Sequence, residues 1–229
     1  ELGYEASEAE KERSFLEVSG RKGLGVKADD LLDRLQSKAF AEVEKRNPEL
    51  SPEARAAISR EIACGALRYF MLKYARNSLI VFDFEEAHSF EGETGPYLQY
   101  TIVRLNSIFR KLSDRAGFGE ADLLTLLRDE AIPLERLTEK EGHDFWDVIL
   151  YAARFEEFVL HSVYSLEFSH LAKFAFNLCQ KTNVYYHLYS ILGEGDIEIR
   201  NIRIMTVFYV REILRTALSL MGIPQPEKM

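Results

Sequence analysis

The amino-acid sequence predicts an all-α protein, an antiparallel helical bundle with connections of ordinary length. Apolar residues recur at three- and four-residue steps nearly throughout the stretch from Ala28 to Met221. Prolines stand where helices are expected to begin or end, at positions 48, 52, 96 and 224. β-Branched and aromatic residues run together over 78–84, which could be an extended connector or a short strand.

Two helices open the periodic region. Asp29 or Asp30 can cap the first, which is expected to run to about Arg46, where Asn47-Pro48 breaks it. Ser51-Pro52 is a strong start for the second helix, because a serine caps well and proline suits the first turn.

A glycine-flanked loop then leads into the most informative helix, EGETGPYLQYTIVR over 91–104. Gly92 and Gly95 give the loop backbone freedom, Thr94 is a candidate N-cap, and Pro96 fits the first turn. One face of this helix is apolar and predicts a buried stripe. The stripe consists of Leu98, Ile102, Leu105, Phe109 and Leu112.

A second strip on the same helix combines aromatic rings with cations: Tyr97, Tyr100, Arg104, Lys111 and Arg115. At 100° per residue it lies apart from the apolar stripe. Rings interleaved with cations suit an unstacked base and its phosphate. The same spacing also fits partly buried tyrosines beside an ordinary solvated face, and spacing alone favours that interpretation.

The rest of the chain continues the helical pattern. A turn is expected over 117–119, followed by a short leucine-rich helix, and two further helices are expected to fill 142–190 with Trp146 as a core anchor. The last helix is expected from about Asp196 to Met221, with Gly222 as its C-cap. Tyr185, Tyr186 and Tyr189 could add stacking surface, or two could pack inward while one faces water.

Composition excludes several classes of protein. A hydrophobic fraction of 47% fits a globular chain, and no apolar run is long enough for a membrane span.

Cys64 and Cys179 lie far apart and suggest buried thiols in a reducing cytoplasm. Glu167 and His170 have the E-x-x-H spacing of di-iron bundles, but such a site also needs further inward carboxylates, and no metal site is predicted. The net charge of −8 argues mildly against nucleic acid, although a local basic patch could still bind RNA.

The segment 91–104 resembles the EG(E/D)TGPYLQY motif of arginyl-tRNA synthetases, which opens a helix of their anticodon-binding domain. The stretches 62–72, 81–87 and 221–229 also resemble that family. The resemblance covers most of the chain from about Ser19. It implies a helical anticodon-binding domain over 28–229 and places five residues at the tRNA: Tyr97, Gln99, Tyr100, Arg104 and Met229. Gln99 lies on another side of the helix, where it is expected to brace the loop.

Residues 1–27 combine an acidic segment with a glycine-rich loop that resembles the KMSKS-type activation loop of class I synthetases. Ser19, Arg21 and Lys22 match a KMS-x-RKG form and are the residues expected to hold ATP phosphates, whereas Glu17 and Val18 depart from it. No HIGH-type motif occurs in the sequence. The resemblance therefore implies a carboxyl-terminal fragment that is inactive alone and holds no cofactor.

The resemblance implies a parent arginine–tRNA ligase that uses ATP with Mg²⁺ in the cytoplasm. Its expected partners are arginine tRNA and the catalytic domain, with no membrane and no DNA. The alternative is a helical protein-interaction domain without RNA binding, since tyrosine and arginine are also enriched at protein interfaces. RNA binding should weaken steeply with salt, whereas an apolar docking face should barely respond.

Overall fold

A computed structural model of the protein describes residues 27–129 and 133–229. These ranges form nine α-helices and one short 3₁₀ turn, with no strand among them, which confirms the all-α prediction. The helices are α1 (Ala28–Arg46), α2 (Pro52–Leu72), α3 (Phe84–His88), α4 (Gly95–Ala116), α5 (Glu120–Asp129), α6 (Glu139–Ala153), α7 (Phe155–Ser165), α8 (Ser169–Leu188) and α9 (Ile197–Leu220). The 3₁₀ turn, Leu134–Arg136, lies between α5 and α6.

Helices α1 and α2 form a hairpin. Ser51 caps α2 by accepting a hydrogen bond from the backbone N–H of Ala54 at 3.2 Å, as its position before Pro52 predicts. Small and aliphatic side chains of the two helices bury each other in two clusters. The fully or nearly fully buried members are Leu35, Ala39, Val43, Ile62, Ala63 and Phe70.

The main core lies between α4, α6, α8 and α9. Its centre is contributed by α8 and α9, where Phe174, Leu178, Val210 and Leu214 have no exposed surface. The apolar stripe predicted for α4 faces this core: Leu98, Ile102, Leu105 and Leu112 are buried, and Phe109 is partly buried against it. The opposite side of α4 is therefore the side left for solvent or a ligand.

A buried ion pair joins α6 to α9. Arg203 donates to both carboxylate oxygens of Glu141, at 2.6 and 2.9 Å. The same guanidinium donates to the Ser190 carbonyl at 2.6 Å and to Glu194 at 2.7 Å, which fixes the loop before α9. The side chains of Arg203 and Glu141 are both more than nine-tenths buried, so removal of Arg203 would leave the Glu141 carboxylate buried without a cation.

Several sequence predictions fail in detail. The stretch 142–190 holds parts of three helices, because the chain breaks at Leu166, whose φ of 55° ends α7 in the left-handed region. Trp146 is 46% exposed and is no core anchor. Cys179 is buried as predicted, but Cys64 is only partly buried. Residues 78–83 form a strand-free connector before α3, and no helix in the described ranges is long and apolar enough to cross a membrane.

Candidate nucleic-acid interface

The loop before α4 is held in place by local hydrogen bonds. Gly92 has a φ of +80°, a conformation that favours glycine. The Thr94 hydroxyl accepts from the Tyr97 N–H at 3.3 Å and donates to the Ser89 carbonyl at 2.5 Å. Thr94 is thus the N-cap that its sequence position predicts, and it ties the loop to the start of the helix.

Two glycines and a glutamine lock α4 against α2. A Cβ at Gly95 would lie 2.1 Å from the backbone oxygen of Gly65, and a Cβ at Gly65 would lie 2.4 Å from the Gln99 amide. The Gln99 Nε2 donates to the Glu61 carbonyl at 3.0 Å and to the Pro224 carbonyl at 2.9 Å. Much of the motif over 91–104 therefore serves a close helix–helix junction.

Gln99 does not lie at the surface, where direct contact with RNA would require it. Its side chain has no exposed area. Through its bond to Pro224, however, it anchors the segment that follows α9. The effect of Gln99 on any ligand is thus indirect, because it positions this tail.

A cleft of about 410 Å³ opens beside α4. We call it the α4 cleft. One wall is α4 with Tyr100, Arg104 and Lys111, another is the connection after α1, and a third is the tail that ends at Met229. Met229 packs on the buried cluster between α1 and α2, so it closes the wall as well as lining the cleft.

The two tyrosines of the aromatic and cationic strip on α4 have different surroundings in the structure. Tyr100 is 39% exposed and lines the cleft. Tyr97 points elsewhere: its hydroxyl accepts from Asn183 Nδ2 at 3.0 Å, and its ring centroid lies 5.6 Å from that of Phe176. Burial raises the pKa of the Tyr97 phenol, as expected for a ring half-enclosed by the bundle. Tyr97 therefore does not line the α4 cleft, because its ring packs toward α8.

Tyr186 of α8 completes the aromatic lining. The Arg104 guanidinium carbon lies 4.6 Å from the centroid of the Tyr186 ring, within cation–π range. This contact orients a long, flexible side chain toward the cleft, which the tyrosine also lines. Of its two neighbours, Tyr185 is buried and Tyr189 donates to Asp144 at 2.7 Å, so Tyr186 is the one of the three that lines the cleft.

Helix α4 carries an excess of positive charge. The helix carries four cations against the single carboxylate of Asp114. None of the cations Arg104, Arg110, Lys111 and Arg115 forms an ion pair within residues 27–129 and 133–229. By contrast, three of the four arginines of α9 do. Guanidinium and ammonium groups can bind phosphate, and the exposed ring of Tyr100 and the partly exposed ring of Tyr186 can stack on bases.

Other predicted sites are not brought to the cleft. Ser19, Arg21 and Lys22 lie outside the described residues. Glu167 and His170 approach to 3.9 Å, and the His170 ring stacks on His161 at 3.9 Å between centroids. In the part of the chain that the structure describes, no three potential ligands converge in a way that could hold a metal ion.

Several polar residues of the cleft are not predicted from the sequence, and Asn47 is one of them. The sequence marks Asn47 only as a helix breaker, yet it lines the α4 cleft. No periodic pattern could find it, since it follows α1 and meets α4 across more than fifty positions of sequence. Its placement depends on the α1–α2 hairpin packing against α4 through Gly65 and Gly95.

Comparison with known proteins identifies this architecture. Residues 98–229 match the family model of the DALR anticodon binding domain. The chain is 33% identical over its full length to the arginine–tRNA ligase of Pyrococcus furiosus and 36% identical over 93% of its length to that of Thermus thermophilus. It spans about a third of each relative, 34% in both cases.

Solved structures of arginyl-tRNA synthetases share this fold. The arginyl-tRNA synthetase of Thermus thermophilus superposes with a TM-score of 0.74 at 32% identity, over 90% of this chain and 32% of that one. The enzyme from Plasmodium falciparum, at 19% identity, shares the fold with a TM-score of 0.66 over 89% of this chain and 34% of that one. The resemblance to arginyl-tRNA synthetases is thus confirmed. The chain belongs to the DALR anticodon-binding domain family.

Proposed function

We propose that this chain is the anticodon-binding module of an arginine–tRNA ligase, the enzyme that joins arginine to its tRNA with ATP. The observation that carries the proposal is the α4 cleft, where three cations of one helix, none of them in an ion pair with the described residues, border two accessible tyrosine rings. The family membership of residues 98–229 and the arginine–tRNA ligase relatives point in the same direction.

The proposed mechanism divides the work between charge and stacking. Arg104, Arg110 and Lys111 attract the phosphates of the anticodon loop, and Tyr100 and Tyr186 receive unstacked bases on their faces. Because α4 is locked to α2 and to the core, these groups are held in place before the RNA arrives, which reduces the entropy lost on binding.

In the proposed enzyme the module holds the tRNA while a catalytic domain activates arginine with ATP and Mg²⁺ in the cytoplasm. That domain would be its covalent neighbour. Ser19, Arg21 and Lys22 would belong to the ATP loop on the catalytic side. RNA rather than DNA is the proposed nucleic-acid partner, since single-stranded loops expose the base faces that tyrosines stack on.

The first test is the affinity for an arginine tRNA transcript, measured by filter binding. Removing one stacking ring costs about 1–3 kcal/mol, so Tyr100→Ala should weaken binding roughly tenfold or more. Tyr164→Ala is the matched control, because Tyr164 is 82% exposed on α7 and does not line the cleft. Equal affinities of the wild type and Tyr100→Ala would contradict the assignment.

The second test is the salt dependence of the same binding. Arg104→Ala and Lys111→Ala should each reduce the slope of log affinity against log salt by about 1, as expected for a lost phosphate contact. Arg128→Ala on α5, an exposed arginine outside the cleft, should leave the slope unchanged. Binding that hardly responds to salt would instead favour the protein-interaction alternative.

A further inference from the structure

Asn47 lines the α4 cleft, and its side-chain amide nitrogen has no hydrogen-bond partner among the described residues. Its backbone N–H donates to the Val43 carbonyl at 2.8 Å and so ends α1. Its side chain lines the α4 cleft, but Nδ2 is buried and has no hydrogen-bond partner within the described residues. An unsatisfied buried donor costs free energy, which a ligand that supplies an acceptor would recover.

The chemistry of an amide differs from that of the cations across the cleft. Asn47 offers one acceptor and one N–H₂ donor side by side, and rotation about its Cβ–Cγ bond exchanges them. Such a pair matches neighbouring donor and acceptor groups on the Watson–Crick edge of an unpaired base. Arg104 and Lys111 carry only donors and full charges, which suit phosphate oxygens of any sequence.

Two carboxylates that line the cleft together with Asn47 also favour a base over a phosphate. Glu227, in the tail, lines the same cleft, is exposed and forms no ion pair with the described residues. Glu49, two residues after Asn47, faces Lys228 of the tail at 3.9 Å. A carboxylate repels phosphate but accepts hydrogen bonds from base amino or imino groups.

We infer that Asn47 is a specificity-determining residue: its amide reads the edge of one base that enters the α4 cleft, with Glu227 as a neighbouring acceptor. The cations of α4 hold the backbone of the same RNA and carry no sequence preference. This inference rests on the proposed RNA-binding function and adds to it the residue that selects sequence.

The experiment measures binding of this chain to four RNA hairpins at fixed salt for each anticodon position. One hairpin has the arginine anticodon loop, and the other three carry each alternative base at that position. At one position, wild-type protein should prefer the arginine loop by about tenfold or more, the value of one good pair of base contacts. Asn47→Ala and the similarly sized Asn47→Leu should bring that preference within about threefold. A separate salt series should give both variants the wild-type slope of log affinity against log salt.

Two controls separate a loss of base discrimination from a loss of folding stability. Asn47→Ala should melt no lower than wild type, because its side chain gives up no hydrogen bond within the fold. Asn77→Ala, an exposed asparagine outside the cleft, should keep full discrimination. An unchanged preference in both Asn47 variants, or an equal loss of affinity for all hairpins, would overturn the inference while leaving the proposed function standing. If wild-type protein binds none of the hairpins, both the proposed function and this inference are contradicted.

Discussion

The contact between α2 and α4 makes a sharp prediction about Gly95. Its position in the first turn of α4 would tolerate alanine in an isolated helix. In the fold, the added Cβ would lie 2.1 Å from the Gly65 oxygen and 2.5 Å from its carbonyl carbon. These are backbone atoms, which cannot rotate away as a side chain can. The start of α4 must therefore retreat from α2 by about 1 Å.

The cost of that retreat follows from overpacking. Forcing a methyl group into a close-packed contact costs about 1–3 kcal/mol, and a backbone obstacle places Gly95→Ala toward the upper end. At about 2–4 °C per kcal/mol for a chain of this size, the melting temperature should fall by roughly 4–10 °C. The Gln99 bonds that hold the tail should loosen as well, since Gln99 lies one turn further along α4.

The assay is urea and thermal unfolding followed by circular dichroism, with Gly142→Ala as the matched control. Gly142 lies inside α6, and a Cβ there would meet nothing within 4 Å. Alanine is the better helix former, so Gly142→Ala should raise the free energy of unfolding by about 0.5–1 kcal/mol. Opposite signs for the two substitutions are expected. Equal or greater stability of Gly95→Ala would refute the close approach of α2 and α4.

Two further predictions concern the packing of α6, α8 and α9. Glu141→Ala should lower the free energy of unfolding by about 3 kcal/mol in urea titrations, because it removes two charge-assisted hydrogen bonds from the buried Arg203 and leaves Glu194 as its one carboxylate among the described residues. The exposed Glu135→Ala should stay within about 0.5 kcal/mol. Burial and the hydrogen bond to Asp144 raise the pKa of Tyr189 to about 12, above the value near 10 of an unfolded tyrosine. Its contribution to stability is therefore complete below pH ~10 and lost as pH rises toward 12, and Tyr189→Phe should flatten that decline in alkaline unfolding curves.

Local patterns in the sequence predict local structure well. The N-cap roles of Ser51 and Thr94 and the buried stripe of α4 all follow from residue types and helical spacing, and the structure confirms them. Helix periodicity reports which side of a helix is apolar, so it also separates Tyr100 from Leu98 correctly.

The features that local sequence patterns do not predict have a common physical cause. Tyr97 and Tyr100 lie on neighbouring sides of α4, and only the position of α8 decides that one ring packs on Phe176 while the other stays in the cleft. Trp146 is a large apolar residue whose side of α6 happens to face outward. Contacts between residues far apart in sequence leave no periodic signal, and for that reason Asn47 also escapes a sequence-based search.

The break between α7 and α8 illustrates a different limit. Leu166 adopts a left-handed backbone conformation that leucine disfavours, and no glycine or proline in the sequence announces it. The apolar residues on both sides continue without interruption, so a single longer helix is the natural prediction. Tertiary packing of α7 on α8 and α6 overrides the local preference there.

The account depends most on the α4 cleft as the place where an anticodon loop binds. Photo-crosslinking of arginine tRNA that carries 4-thiouridine in the anticodon loop, with mass-spectrometric mapping of the attached peptides, tests this directly. The account predicts crosslinks to the peptides of α4 and α8 that contain Tyr100 and Tyr186. Crosslinks confined to other surfaces, such as the exposed apolar side of α7, would contradict it.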